Sequence, residues 1–231
     1  MEFGKVESLW RYPVKSLLGE RLSKVEVDAR GISGDRLYAV LNSDGKIGSG
    51  KDTRRFRRID GLFSMFANAT DKGVSIKFPD GRVLTDKDQS INGKLSHTLG
   101  QSVTLTQERK ISHFDDGAIH ILTTASLSLL GDLLPDSNID PRRFRPNIVI
   151  DGQYTEQDFF GKIIRVGGVD LEITHKTERC RMITIDQADL DSRPEILKSV
   201  SKNFDLDFGV YARVLSTGSV SVGDRVEVVS K

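Results

Sequence analysis

Ile163-Ile164-Arg165-Val166-Gly167-Gly168-Val169-Asp170-Leu171-Glu172-Ile173-Thr174 decides the fold. Strand-forming runs, Ile163–Val166 and Leu171–Thr174, flank a Gly-Gly pair that supplies the positive φ a tight hairpin turn needs. The pattern recurs in both directions along the chain. Val25–Val27, Leu37–Leu41, Val74–Phe78, Val103–Thr106, Asn147–Ile150, Val210–Leu215 and Val226–Val229 carry the same chemistry, and Asp44-Gly45 and Pro79-Asp80-Gly81-Arg82 are further turns. Helices are few. Thr124–Leu134 places Leu127, Leu130 and Leu134 on one face, with Thr123 or Thr124 as cap and Pro135 as stop. Pro194–Ser201 and Asn92–Leu99 complete the helical signal. The predicted class is β-rich α+β with few helices, built on mainly antiparallel barrels, because closure hides the edges of many short strands.

A chain of 231 residues, 37% hydrophobic, can close one large β-rich domain or two small ones. The polar stretch Glu108–Gly117 interrupts the apolar rhythm and divides the chain into 1–108 and 109–231. Lys and Arg number 34 against 33 Asp and Glu, a net charge of +1 that argues against a nucleic-acid coat or a membrane-steering protein. The start Met1-Glu2-Phe3-Gly4-Lys5 has no apolar leader core, and no run approaches a bilayer-spanning length. With one cysteine, no intramolecular disulfide forms, and the expected location is the cytoplasm.

Gly45-Lys46-Ile47-Gly48-Ser49-Gly50-Lys51 imitates a phosphate-binding P-loop, but Asp52 stands where a magnesium-binding hydroxyl is required. The segment after it, Thr53-Arg54-Arg55-Phe56-Arg57-Arg58, lacks the apolar face of a P-loop helix, so a hairpin and glycine loop are expected. His97, His113, His120 and His175 are scattered and give no zinc spacing, and His113-Phe114-Asp115-Asp116 reads as a solvated loop. Lys51–Arg58, Arg142–Arg145 and Lys176–Arg181 are basic clusters. In the second, Pro141 and Pro146 stiffen the backbone around three arginines, a setting suited to bidentate binding of phosphate or carboxylate. Cys180 lies between Arg179 and Arg181 in a charged segment that does not read as a core strand. Two guanidinium groups beside a sulfur favour thiolate over thiol, so a nucleophile or soft-metal ligand stands level with the inert, buried thiol that a free cysteine most often is. Tyr12-Pro13-Val14-Lys15-Ser16 sets an ammonium and a hydroxyl at the end of the first strand.

Taken together these segments resemble the molybdenum-cofactor sulfurase C-terminal (MOSC) domain family. The two-part form is most similar, in which an N-terminal MOSC β-barrel domain precedes the MOSC domain, as in the amidoxime-reducing components. The matching stretches are Tyr12–Ser16, Gly34-Asp35-Arg36, Leu122–Leu127, Arg143–Val149, Arg179-Cys180, Phe208–Ala212 and Val222-Gly223-Asp224. The resemblance implies a pyranopterin molybdenum cofactor held by Lys15, Ser16, Arg36, Thr124, Ser126, Arg145, Asn147 and Arg179, with Cys180 as metal ligand and catalytic residue. It further implies two-electron reduction of N-hydroxylated compounds such as amidoximes and hydroxylamines. Some relatives carry a fused ferredoxin domain whose cluster needs four cysteines. With one cysteine, electrons are expected from a separate ferredoxin-, flavoprotein- or haem-type partner. Asp186, shortly after Cys180, is a candidate proton donor, and Ile185–Asp189 lacks the Pro and Gly expected of near relatives in a segment that the resemblance implies shapes substrate access.

Three other readings compete. Cys180 could carry a persulfide as a sulfur-transfer protein, the chain could be a cofactor-binding module without turnover, or Lys15 could form a Schiff base with pyridoxal phosphate.

Overall fold

The computed structural model describes residues 2–229. Seven strands close into a barrel: Glu2–Arg11, Ile148–Asp151, Ile119–Thr123, Asp207–Val214, Val169–Glu178, Ile163–Val166 and Arg225–Val228, the last pairing back onto the first. Every pairing around the ring is antiparallel except Ile119–Thr123 with Ile148–Asp151. The Gly167-Gly168 hairpin forms as read, with Val166 opposite Val169 and Gly167 at φ 55°. Alternation then turns Val169, Leu171 and Ile173 inward, where they meet Val6, Leu9, Ile121, Ile150, Ile164 and Val226 in one apolar core. Closure leaves this sheet without a free ladder on the ring.

A second core gathers residues between 38 and 103 around Val14 and Leu17. The strand Tyr38–Asn42 pairs with Val103–Gln107 and Ile47–Ser49, while Phe66–Thr70, Gly73–Lys77 and Val83–Thr85 form a meander. The helix Ile91–Leu99 buries Ile91 and Leu95 against that layer. The two cores do not follow the division at 108/109. Phe3, Val6, Leu9, Val25, Val27 and Ile32 all belong to the barrel core, so two stretches of the first 32 residues pack with the C-terminal strands, while Val14 and Leu17 between them join the second core. Glu108 returns to the start of the inserted layer, its backbone N–H donating to the Leu37 carbonyl at 2.7 Å. Residues 37 to 108 are thus inserted into the barrel.

Three local readings are corrected. The helix from Thr124 ends at Gly131, three residues early, where Gly131 lies directly against the Ser137 carbonyl and the chain turns. Thr123 is its cap, accepting from the Ser126 N–H at 3.1 Å. The charged segment before Cys180 is in part a strand: Lys176–Glu178 completes the ten-residue strand Val169–Glu178, with Thr177 buried and Lys176 and Glu178 exposed. The meander strand Phe66–Thr70 had no sequence reading, because Phe-Ala-Asn-Ala-Thr lacks a β-branched run.

Candidate active site

Barrel and insert meet at a cleft of about 270 Å³. Its walls bring together Lys15 and Ser16 from the turn after the first strand, Arg36 after a loop, Arg145 beyond a short 3-10 helix, and Arg179 and Cys180 beyond the Val169–Glu178 strand. Segments more than a hundred residues apart thus line one cleft. The Cys180 thiol is free and half-buried on the cleft wall. Arg181 lies outside this wall and faces a separate groove, so one flanking arginine serves the cleft, not two.

The backbone is bent sharply where it presents these groups. Ser16, Arg36 and Arg145 adopt φ of 64°, 49° and 56°, a left-handed region that costs a non-glycine residue about 1–2 kcal/mol. Three such residues facing one cleft mark it as a site built against local backbone preference. Both guanidinium groups lie over the buried Tyr12 ring, Arg36 at 4.7 Å and Arg145 at 4.2 Å from its centroid.

Hydrogen bonds fix the guanidinium groups and leave specific atoms free. Arg36 pairs with Asp35 and donates to Asn147 Oδ1 and the Arg145 carbonyl, each at 3.1 Å. Asn147 is therefore a brace beneath the cleft, also accepting the His120 N–H at 3.1 Å and donating to the Trp10 carbonyl at 3.2 Å. Arg145 donates from Nη1 to the Leu17 carbonyl at 2.7 Å, and Arg179 from Nη2 to the Phe144 carbonyl at 2.8 Å. Arg145 Nη2, Arg179 Nε and Ser16 Oγ are buried without a partner. Buried donors are rarely left unpaired, and three around one opening call for an acceptor-rich ligand.

Charge agrees. Six cationic side chains line the cleft, Lys15, Arg36, Lys51, Arg143, Arg145 and Arg179, against Asp115, Asp116 and Glu178. Burial, followed by the nearby arginines, outweighs the Asp115 ion pair and lowers Lys15 to about 8. Burial and the Arg36 charge lower Arg145 to about 10. Burial alone pushes the Asp115 carboxyl up, but Lys15, Lys51 and Arg36 outweigh it and hold the group well below the usual carboxylate range. An entering anion would neutralise cations that already strain against one another.

Several cleft residues escaped sequence reading. His120 stands in the all-buried strand Ile119–Thr123, where burial and Arg179 push it well below its ordinary value. Its Nδ1 lies 3.4 Å from the Arg145 carbonyl, which only accepts, so the neutral ring carries its proton there. Gly209, at φ 95°, lies against the His120 ring where a Cβ would overlap Nε2, a purpose for the Phe208–Ala212 stretch. Asp115 lies in the loop read as solvated, yet it pairs with Lys15, and Arg55 holds that loop by the Phe114 carbonyl at 2.8 Å. The glycine loop forms no P-loop helix, but Ser49 and Lys51 line the cleft.

Thr124 and Ser126 lie elsewhere. Thr124 donates to Asp151 at 2.9 Å and Ser126 to buried Glu156, and neither lines the cleft. Asp186 lies on a neighbouring cavity and not beside Cys180. Among the described residues no three His, Cys, Asp or Glu side chains cluster to hold a metal ion, so a metal here would be carried by a group with donors of its own. No helix among the described residues is long and apolar enough to cross a membrane.

Comparison with known proteins gives this geometry its family. The MOSC domain model matches residues 108–227, and the MOSC N-terminal beta barrel domain model matches residues 3–120. The chain belongs to the MOSC domain family. It is 26% identical to mitochondrial amidoxime reducing component 2 of Bos taurus, over 97% of this chain and 83% of that protein. Identity to the human mitochondrial amidoxime-reducing component 1 is also 26%, over 100% of this chain and 84% of the relative. A molybdenum cofactor sulfurase of Drosophila yakuba is 28% identical over 51% of this chain and 15% of its own length. Among solved structures, the YUAD protein of Bacillus subtilis shares the fold with a TM-score of 0.54 and 17% identity, covering 99% of this chain and 96% of that one.

Proposed function

We propose that the chain binds a pyranopterin molybdenum cofactor in this cleft and reduces N-hydroxylated compounds with electrons from a separate donor protein. The observation that carries this reading is the convergence of unpartnered buried donors, Ser16 Oγ, Arg145 Nη2 and Arg179 Nε, around the chain's one thiol. Those donors and the Lys15 ammonium fit a pterin phosphate, and the Cys180 sulfur fits a metal already held by soft dithiolene donors. Relatives whose names speak of amidoxime reduction supply the substrate class.

When bound, the cofactor supplies the two-electron redox chemistry. The chain's own residues bind, orient and protonate. Arg36, tied to Asn147 and the Arg145 carbonyl, keeps Arg145 in its bent backbone so that Nη2 faces the ligand. Tyr12 excludes water beneath both guanidinium groups. Reduction of an amidoxime breaks the N–O bond, consumes two electrons and two protons, and releases the oxygen as water. Lys15, lowered to about 8 and paired with Asp115, holds a proton that it can release into the cleft at neutral pH.

The test is elemental analysis of protein purified from cells able to make the cofactor. About one molybdenum per chain, lost in Cys180→Ala, supports the reading. A metal-free protein with a cyanide-labile sulfur on Cys180 overturns it in favour of sulfur transfer. Cofactor retained without reduction of hydroxylamine or benzamidoxime by a chemical electron donor reduces the reading to a binding module.

A further inference from the structure

A second cavity of about 500 Å³ adjoins the cationic cleft, and Ser16 and Met182 line both. Its size lies within the range of small-molecule sites, roughly 300–1,000 Å³. Its chemistry is opposite. Ile59, Leu62, Phe63, Met182 and Ile185 supply apolar walls, and the charged side chains lining it are Asp60 and Asp186. Asp60 is engaged by Arg58 at 3.0 Å, whereas Asp186 has no ion-pair partner among the described residues. We propose that this cavity is a substrate subsite, rests on the reductase reading above, and takes the aryl or alkyl portion of an N-hydroxylated compound while admitting neutral or cationic ends and rejecting anionic ones.

The walls are preformed and come from both halves of the molecule. Met182 is fixed by the Gly50 N–H, which donates to its sulfur at 2.9 Å, and a Cβ at Gly50 would overlap that sulfur and crowd Ile185. The glycine of the false P-loop thus lets that loop close onto the turn after Cys180. Opposite, the Gln187–Leu190 bridge carries Ala188 at φ 48° into the wall, and Arg142 clamps Asp189 at 2.8 and 3.1 Å. Phe63 lies 5.4 Å from the Arg145 guanidinium carbon, so an aromatic group in the cavity borders the cationic cleft without entering it. A substrate with its N–O group beside Cys180 has this cavity as its adjoining apolar space. The segment Ile185–Asp189, read from sequence as shaping substrate access, forms part of its wall.

Charge and volume are tested separately on cofactor-loaded protein with a chemical electron donor. Among benzamidoxime, 4-aminomethylbenzamidoxime and 4-carboxybenzamidoxime, KM for the carboxylate is expected at least about 10-fold above the others at similar kcat, a gap of one 1.4 kcal/mol step. Asp186→Lys should narrow or invert the order. Ser64→Trp, at an exposed position on the cavity rim, should raise KM for benzamidoxime while leaving hydroxylamine, too small to need the cavity, unchanged. Equal KM values across the series, unmoved by either variant, would overturn the subsite. Failure of the reductase reading is distinguishable, because wild-type protein would then reduce neither hydroxylamine nor benzamidoxime. Ligand-observed NMR still decides the cavity in that event. Benzylamine binding should weaken in Asp186→Lys and Ser64→Trp while benzoate binding does not, and benzylamine binding unchanged in both variants would refute the assignment.

Discussion

Arg145 concentrates the physics of the site: a buried guanidinium with one donor spent on Leu17, another unpaired, and a backbone at φ 56°. Removing it relieves an uncompensated charge as well as a ligand contact. Arg145→Ala is therefore expected to lower molybdenum retention through loss of a charged hydrogen bond worth about 1.5–3 kcal/mol, roughly 10- to 150-fold in affinity, while the melting temperature of cofactor-free protein falls little. Unchanged metal content in that variant would remove Arg145 from the site. Lys15 yields a pH dependence. Its pKa falls from 10.5 in the unfolded chain to about 8 in the fold, so the unfolded state binds more protons between those values. The cost of burying the ammonium is fully present below about pH 8, and stability is regained as pH rises toward 10.5. A bound anion stabilises the protonated form, so inorganic pyrophosphate should bind cofactor-free protein more weakly as pH climbs through 8. Lys15→Met should abolish that slope in a calorimetric titration, and an identical slope would assign it to another group.

Elements explain why the cleft keeps its shape. Asn147 opens the strand Ile148–Asp151 and ties three partners, Arg36, the His120 N–H and the Trp10 carbonyl. Asn147→Ala leaves buried groups unsatisfied at about 1–3 kcal/mol each, so denaturation midpoints should show a loss of roughly 3 kcal/mol. A loss below about 1 kcal/mol would mean that the brace is dispensable. Many strands and hairpins were legible, because Gly-Gly and Asp-Gly turns between apolar runs announce hairpins whatever the surrounding fold. The cysteine and the flanking arginine were legible as chemistry. Their geometry was not, because Arg36 and Arg145 take their places at the cleft through positive φ, which local propensity disfavours for arginine. Thr124 and Ser126 show the converse. Their hydroxyls matched a family pattern, yet Ser126 is spent on Glu156, a buried carboxylate 30 residues away that no local pattern connects to it.

At the scale of the whole molecule, the barrel is closed by strands from both ends of the chain. The strand Glu2–Arg11 closes it between Ile148–Asp151 and Arg225–Val228, and near Glu108 the chain returns to the layer that begins at Leu37. A fragment comprising residues 109–231 lacks that closing strand and should show no cooperative unfolding by circular dichroism. A sharp transition there would mean that the C-terminal strands close without it. Cleft and second cavity both take walls from insert and barrel, so function needs the assembled chain. The most direct test of that assembly is anomalous diffraction at the molybdenum edge from crystals of the cofactor-loaded protein. The expected map places one metal peak within bonding distance of Cys180 Sγ, with the pterin phosphate against Ser16, Arg145 and Arg179. A peak remote from that sulfur, or loaded protein whose cofactor lies outside this cleft, would contradict it.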